Sequence, residues 1–261
     1  MLSVQLIFIL MTNISSRLIV ILNQIIFVLP DNDTSFSPVL LNDVVDCVVN
    51  DIKKRLKVFD LLYSSEYTMK EFISPVLIGA LQYLENVKII AEHPIVGIKG
   101  KGTVDYDLIY KFFHLVVVEA KKEKMLDGII QNIVQLVVSR DSMAYERNKR
   151  RRDELETDDL LNIPSRGLVS TGEDWIFTKY VYENQVWKLY KSQEYKLTLK
   201  YPQNDIQENN LKNQVCDIIK VLMGTLLEQM DLVDSAPEAK KARAISTHDD
   251  DIDDSDDENE Q

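Results

Sequence analysis

The spacing of apolar residues divides the chain into segments with helical and strand-like periods. Apolar residues recur at helical spacing over 41–59 with polar residues opposite them, which predicts an amphipathic helix. Residues 68–71, Thr-Met-Lys-Glu, fit the capping-box pattern, in which Glu71 bonds back to the start of a helix. An apolar face continues from them, so a second helix is predicted over 68–84.

The period then changes to short runs rich in β-branched and aromatic residues. These runs cover 87–98, 104–110 and 114–121, and glycines or a short turn segment separate them. They predict three successive strands, for which an antiparallel meander is the simplest pairing.

The second half of the chain repeats this alternation. Helical spacing returns over 126–147, and a polar break follows at 149–162. Further strands are predicted over 167–171, 175–182 and 186–199, and a last helix over 211–232. Helix, three strands, helix and more strands in this order predict an α/β fold with helices flanking a sheet.

The first 37 residues form an apolar extension whose role the sequence leaves open. Residues 2–11 and 18–29 are strongly apolar, and Arg17 is the only charged side chain within residues 1–30. If the segment is a secretory signal, it lacks the basic residues that normally precede the apolar stretch. Asn13 and Asn32 would be glycosylation acceptors after export. A membrane anchor would need about 20 apolar residues in one stretch. A buried or poorly ordered extension, or a misassigned start codon, is the third interpretation.

Composition favours one main folded domain over 38–233. The chain has 261 residues, 45% of them hydrophobic, with eight glycines and seven prolines, which is enough to bury a sizeable core. Its formal charge of −12 includes nine acids at 249–260, so the remainder is nearly neutral and decides nothing about nucleic-acid binding. The segment 234–261, basic and then acidic, is predicted to be a disordered tail.

Charged residues interrupt an apolar strand where a buried strand would normally continue. The valines at 116–118 run directly into Glu119 and Lys121. Residues two apart on a strand share a face, so Glu119 projects with Lys121, and Asp105 with Asp107 on the preceding strand. Carboxylates and an ammonium group are therefore expected to converge, and carboxylate oxygens are the ligands that Mg²⁺ prefers. The same Glu-Ala-Lys-Lys string recurs at 238–241 in the polar tail, so the strand context carries this prediction.

Asp105 followed on the next strand by Glu119-Ala120-Lys121 resembles the pattern of the PD-(D/E)XK nuclease superfamily. Val104 stands where that motif has proline. The run 102–108, with the later segments VVVEAKK, GIIQNIVQL and STGEDWIF, is similar to nuclease-like domains of Crinkler-type effectors and related uncharacterised fungal or oomycete proteins. The resemblance covers residues 68–199, about half of the chain.

The resemblance implies a restriction-endonuclease-like core, an α/β fold with a mixed central sheet flanked by helices. It implies that Asp105, Glu119 and Lys121 are catalytic, that Mg²⁺ or Mn²⁺ is held by the two acids, and that phosphodiester bonds of nucleic acid, expected to be DNA, are cleaved. A glutamine on the following helix is also expected to be catalytic, and the sequence does not rank Gln131 against Gln135.

Two further acids are candidates for the metal-ligand set. Asp107 would be a second ligand on its strand, or an acid that faces water beside a turn. An acid on the first helix of the core is expected from the resemblance, and Glu71 is the nearest, with Glu85 as an outside candidate. A capping role would account for Glu71 without any metal.

A basic cluster, Lys149, Arg150, Arg151 and Arg152, follows the predicted glutamine helix. It is predicted to contact nucleic-acid phosphate or to bind the nuclear import machinery, and a solvated helix end is the alternative. The expected location is the nucleus, after secretion into a host cell if the chain is an exported effector. Membrane association through the apolar extension is the alternative.

The remaining polar residues suggest no other site. His93, His114 and His248 are isolated in the sequence, and Cys47 and Cys216 have no partner at ligand spacing. Two other functional hypotheses stay open: a catalytically inactive nuclease-fold module that binds nucleic acid or protein, and a membrane-anchored scaffold.

Overall fold

The computed structural model describes residues 26–27, 38–97, 100–111, 113–150 and 163–235, and helices account for most of these described residues outside the sheet. All four predicted helices are present, each with ends that differ from the prediction by a few residues. They are α1 (Pro38–Leu56), α2 (Glu66–Leu81), α3 (Met125–Arg150) and α4 (Asp205–Ser235), with a 3-10 turn at Leu61–Tyr63.

The start of α2 corrects the predicted capping box. Ser65 is the N-cap: its hydroxyl accepts from the Thr68 backbone N–H at 3.2 Å, and the Thr68 hydroxyl accepts from the Ser65 N–H at 3.2 Å. The predicted box over 68–71 was therefore wrong, because the serine three residues earlier supplies the cap. Glu71 instead pairs with Arg55 of α1, with 3.6 Å between the carboxylate and Nε.

The predicted strands are also present, and the last predicted run is divided in two. The strands are β1 (Ile26–Phe27), β2 (Val87–Gly97), β3 (Gly100–Tyr110), β4 (Phe113–Ala120), β5 (Ser165–Ser170), β6 (Asp174–Glu183), β7 (Val186–Lys191) and β8 (Tyr195–Lys196).

These strands form one mixed sheet in the order β1-β7-β6-β5-β4-β3-β2, with β8 paired to β6. The pairs β2–β3 and β3–β4 are antiparallel, which confirms the predicted meander. Strand β5 runs parallel to β4, and the chain between them includes α3. The sheet is mixed because this parallel pair lies among antiparallel pairs. Parallel neighbours require a crossover connection, which α3 provides here.

Two apolar cores cover the two faces of the sheet. On one face, α1, α2 and α4 pack against side chains of β3 and β4 such as Leu108, Val116 and Val118. On the other face, α3 packs through Ile133 and its neighbours against side chains such as Val117. Because both faces are covered, the strands at the centre are apolar in nearly every position, as the valine run of β4 indicated.

The apolar extension contributes one short strand to the sheet. In it, Ile26 and Phe27 pair in parallel with Tyr190 and Lys191 of β7. The rest of residues 1–37 and the tail from 236 lie outside the described residues, so the interpretations of these segments stay predictions. Among the helices that the structure describes, none has the length and hydropathy to cross a membrane.

Candidate active site

Asp105 lies where the regular pairing of β3 with β4 ends. Tyr106 opposite Val118 is the last backbone pair on this side, and the next strand donor, the Ala120 N–H, bonds to Asp105 Oδ2 at 2.7 Å. The carboxylate thus replaces a backbone carbonyl in the ladder and is fixed at the carboxyl end of β4. Only 12% of this side chain is exposed.

Glu119 and Lys121 meet beside it, as the strand alternation predicted. Glu119 is buried, and its Oε1 accepts a hydrogen bond from the Lys121 ammonium group. Its other oxygen, Oε2, accepts from Gln135 Nε2 of α3 at 2.5 Å, and the same nitrogen lies 3.3 Å from the Thr103 carbonyl. Helix α3 therefore places an amide against the acid of the motif.

A second lysine, Lys70 of α2, lies in the same cluster. Its ammonium is 2.6 Å from Asp105 Oδ1 and also bonds the carboxylate of Glu92 on β2. Lys121 has a longer contact of 3.8 Å with Glu66, at the start of α2. The cluster therefore joins groups from α2, β2, β3, β4 and α3.

The protonation of the cluster follows from burial and charge. Burial first, and then the Asp105 carboxylate, raise the pKa of Glu119 to about 7, even though Lys121 and Gln135 act in the opposite direction. Burial lowers the pKa of Lys121, but the charge and hydrogen bond of Glu119 more than offset this, and the net direction is upward. Lys70 also has a raised pKa, because its bonds to Asp105 and Glu92 outweigh burial. Both lysines are therefore cations at neutral pH and cannot serve as bases there.

The donor set fits a hard divalent cation. Asp105 and Glu119 offer carboxylate oxygens, which Mg²⁺ and Mn²⁺ prefer. Gln135 Oε1 is buried and has no hydrogen-bond partner, so an amide oxygen beside Glu119 is available to a cation or to its water. Four carboxylates and two ammonium groups give the cluster a formal charge of −2, which added positive charge would offset.

Not every predicted site residue joins this cluster. Gln131, one turn before Gln135 on α3, is half-buried, and it is Gln135 that bonds Glu119. Glu71 pairs with Arg55 and is 47% exposed on its side chain, while Glu66 is the acid of α2 that contacts Lys121. The acid of α2 that reaches the cluster therefore lies five residues before Glu71 in the sequence.

Asp107 belongs to a different group. Its carboxylate is buried and contacts His93 of β2 and His114 of β4, at 2.7 and 2.5 Å from Oδ2 to each Nδ1. The interpretation of these histidines as isolated was therefore wrong in three dimensions, because neighbouring strands bring them together. The sequence spacing of 14 and 7 residues from Asp107 has no motif that would signal this.

The predicted basic cluster is largely outside the described part of the chain. The backbone of Lys149 and Arg150 closes α3, their side chains are not described, and Arg151 and Arg152 lie beyond. A phosphate or import contact there stays a prediction.

Residues that sequence reasoning did not single out were Lys70, Glu66 and Glu92. Lys70 lies within the segment 68–71 that was interpreted as a capping box. Its charge among the apolar positions of the helix was the only sign in the sequence of a role in the site. Glu92 has a left-handed backbone with φ of 50°, a conformation that no pattern in the sequence announces.

The geometry defines an α/β protein with a polar acid–lysine cluster at one end of its mixed sheet, in which Asp105, Glu119 and the two lysines are largely buried. No protein-family model, curated protein or solved structure gives a significant match to the chain. Functional assignment therefore depends on the chemistry of the cluster itself.

Proposed function

We propose that this protein is a metal-dependent nuclease that hydrolyses phosphodiester bonds in DNA. The observation that carries the proposal is the meeting of Asp105, Glu119 and Lys121 at the ends of β3 and β4, with Gln135 bonded to Glu119. An acid on one strand, an acid-x-lysine on the next and a glutamine on the following helix make up the pattern of the PD-(D/E)XK nucleases, to which we assign the core of the chain.

In this proposal Asp105 and Glu119 hold Mg²⁺ or Mn²⁺. When bound, such a cation polarises the phosphodiester and lowers the pKa of coordinated water. The raised pKa of Glu119 favours this role, because a carboxylate that is buried beside the negative charge of Asp105 is stabilised in its ionised form by a bound cation. Gln135 orients the Glu119 carboxylate through its 2.5 Å hydrogen bond.

Lys121 acts in this proposal as a fixed positive charge. Since its pKa is raised, the ammonium group persists at neutral pH and can stabilise negative charge that develops on the phosphate during attack. Its contact with Glu119 limits its motion, so the charge is already oriented before the substrate binds. The role of a base, which would need a neutral amine, is not assigned to it.

A nuclease assay with two lysine variants tests the proposal. The full chain is incubated with Mg²⁺ or Mn²⁺ and with labelled double-stranded DNA, single-stranded DNA and RNA. Lys121→Ala is expected to lose activity by about 100-fold or more, the cost of removing one charge-stabilising group. Lys122→Ala is the matched control, because that adjacent lysine is 46% exposed on its side chain and has only a 4.0 Å contact with Glu123.

The outcomes separate the parts of the proposal. Cleavage that survives Lys121→Ala at the wild-type rate would overturn the mechanism. Cleavage of RNA with DNA left intact would overturn the substrate assignment while keeping the site.

One observation favours a second candidate, a catalytically inactive module that binds nucleic acid or protein. Each carboxylate oxygen of Asp105 and Glu119 already has a donor: Lys70, the Ala120 N–H, Lys121 and Gln135. Such a network is satisfied without any cation. Calorimetry with Mg²⁺ and Mn²⁺ separates the two candidates. A metal-dependent nuclease should bind the ion with a heat that Asp105→Asn abolishes. An inactive module should show no such heat.

We further propose that the protein acts in the nucleus as an effector, with import through the basic cluster. A tagged full chain should accumulate in nuclei of transfected cells, whereas a variant with alanine at Lys149, Arg150, Arg151 and Arg152 should not. Equal nuclear fractions for the two chains would remove this part of the proposal.

A further inference from the structure

Three side chains from three adjacent strands meet at a second point of the sheet. Asp107 of β3 lies between His93 of β2 and His114 of β4, and the ligand atoms of all three lie within 4.8 Å of one another. The two imidazole rings have their centroids 5.9 Å apart. Asp107 is fully buried, whereas 25% of the His93 side chain and 10% of the His114 side chain reach the surface.

Regular strand alternation would not place His93 on the same face as Asp107. Asp107 of β3 pairs with Ile90 of β2, so the two side chains share a face. His93 is an odd number of residues from Ile90, and ideal alternation would therefore place it on the opposite face. Glu92, with its φ of 50°, interrupts the alternation between them. The partner strand shows the same reversal, because Tyr106 packs in the core under α2 and Val104 packs in the core under α3.

A second irregularity does the same for His114. The pairing of β3 with β4 shifts by one residue between Leu108 and Ile109, so that Leu115 and Val116 both pack in the core under α2. This shift turns His114 to the face of Asp107. Two separate departures from ideal strands are therefore needed to bring the two rings onto one carboxylate.

The carboxylate of Asp107 is incompletely satisfied in its buried position. Both histidines bond the same oxygen, Oδ2, while Oδ1 is buried without a hydrogen-bond partner. An unpaired polar atom of a carboxylate in the interior destabilises the fold unless a charge or donor compensates it. A cation bound by this group would supply that compensation.

We infer that His93, Asp107 and His114 form a binding site for a divalent transition metal of the Zn²⁺ class. Two imidazole nitrogens and one carboxylate oxygen are a ligand set that suits Zn²⁺, Co²⁺ and related ions, and it disfavours Mg²⁺, which prefers oxygen alone. Three protein ligands leave a fourth position for water, and the partial exposure of His93 provides access to it.

Metal binding at this site replaces two hydrogen bonds by two metal–nitrogen bonds. Each ring carries its proton on Nε2 and presents the Nδ1 lone pair to the ion, so the Nδ1–H bonds to Asp107 are given up. Ligands of one tetrahedral zinc ion lie about 3.3 Å from each other, so each ring withdraws from Oδ2 by roughly 0.6–0.8 Å. Small rotations of partly exposed rings achieve this.

The site is separate from the proposed nuclease centre and does not depend on it. It joins β2, β3 and β4, the same three strands that carry Glu92, Asp105 and Glu119. A bound ion would clamp these strands together, and the metal would therefore stabilise the fold as well as the register that positions Asp105.

The experiment uses the full chain, freed of metal with a chelator and dialysed. With Mg²⁺ in excess to compete at the acid–lysine cluster, Zn²⁺ titration by calorimetry should give one site that depends on the two histidines, and Co²⁺ should give visible absorption bands typical of a nitrogen- and oxygen-ligated ion. His93→Gln and His114→Gln should each weaken Zn²⁺ binding by at least about 10-fold, because each removes a direct ligand. At the same Zn²⁺ concentration, Zn²⁺ should also raise the Tm of wild type more than that of either variant.

Matched controls exclude other zinc ligands of the chain. His248→Gln removes the third histidine, and Cys47→Ser removes an exposed thiol, and neither should change the affinity. Glu119→Gln should also keep the site, since that acid belongs to the other cluster. His93→Gln, at a partly exposed position, decides the matter if His114→Gln fails to fold. Wild type without Zn²⁺ binding, or equal affinity in wild type and His93→Gln, would overturn the inference and leave a hydrogen-bonded cluster only.

Discussion

The side-chain amide of Gln135 on α3 donates a 2.5 Å hydrogen bond to the buried carboxylate of Glu119 on β4. This contact connects the helix that covers one face of the sheet to the acid near the end of β4. It also distinguishes between two glutamines that the sequence could not rank, because the bond to Glu119 comes from Gln135 and not from its neighbour one turn earlier.

Gln135→Ala should therefore reduce Mg²⁺-dependent cleavage far more than Gln131→Ala. Loss of a group that orients a metal ligand costs about 10- to 100-fold in metal affinity or activity, whereas the half-buried Gln131 has no bond to the acid to lose. Steady-state rates over a range of Mg²⁺ concentrations measure the difference. Equal losses in the two variants would mean that the Gln135–Glu119 bond has no part in positioning the site.

Stability without metal should depend on pH through Glu119. Its pKa is raised from 4.5 to about 7, so between these values the folded chain keeps a proton that the unfolded chain has lost. The resulting stabilisation is fully present below pH 4.5 and disappears as the pH rises through 7. For a shift of this size the loss is about 3 kcal/mol.

Urea unfolding in chelator at several pH values checks this dependence. Glu119→Gln, a neutral mimic of the protonated acid, should unfold with a shallower pH profile than wild type. Glu123→Gln, at an acid 75% exposed on its side chain, serves as the control and should follow the wild-type curve. A Glu119→Gln profile as steep as that of wild type would contradict the assigned pKa.

Lys70→Met should destabilise the fold. The substitution keeps the length of the side chain but leaves Asp105, which is 12% exposed on its side chain, without the ammonium group at 2.6 Å. Breaking such a partly buried pair from one side costs about 1–3 kcal/mol. Chemical denaturation gives the value, and Lys54→Met, at an exposed lysine of α1, should change stability by less than about 0.5 kcal/mol.

Gly167→Ala should destabilise the contact between α3 and the sheet. A Cβ at this position of β5 would lie 2.1 Å from Asn132 Oδ1 and 2.4 Å from Thr178 Oγ1. These two atoms share a 2.8 Å hydrogen bond, and Asn132 also donates to the Val117 carbonyl at 3.0 Å. The added methyl group must break this buried network or push α3 away, at a cost of about 1–3 kcal/mol.

Gly102→Ala is the matched control for that substitution. A Cβ at Gly102 would meet no atom within 4 Å, and this residue lies in β3 of the same sheet. Thermal unfolding should therefore separate the two alanine variants clearly. A similar Tm for both would show that the space around Gly167 is not as restricted as the structure has it.

The order and type of the main elements follow from the pattern of apolar residues along the chain. Periods of apolar residues gave four helices and the β2–β4 meander, since burial of one helix face or of both sheet faces imposes these patterns directly on the chain. Alternation along β4 also predicted that Glu119 and Lys121 project together, because that relation is local to one strand.

The distant side chains that complete each cluster are brought together only by the packing of the folded chain. Lys70 reaches Asp105 from α2, and Gln135 rather than Gln131 reaches Glu119, because the placement of helices on the sheet depends on packing that no short pattern encodes. His93 and His114 join Asp107 only through a left-handed residue and a register shift. Such irregularities reverse the face of every following side chain. The alternation of faces by which a sequence predicts a strand therefore fails at the point where these residues meet.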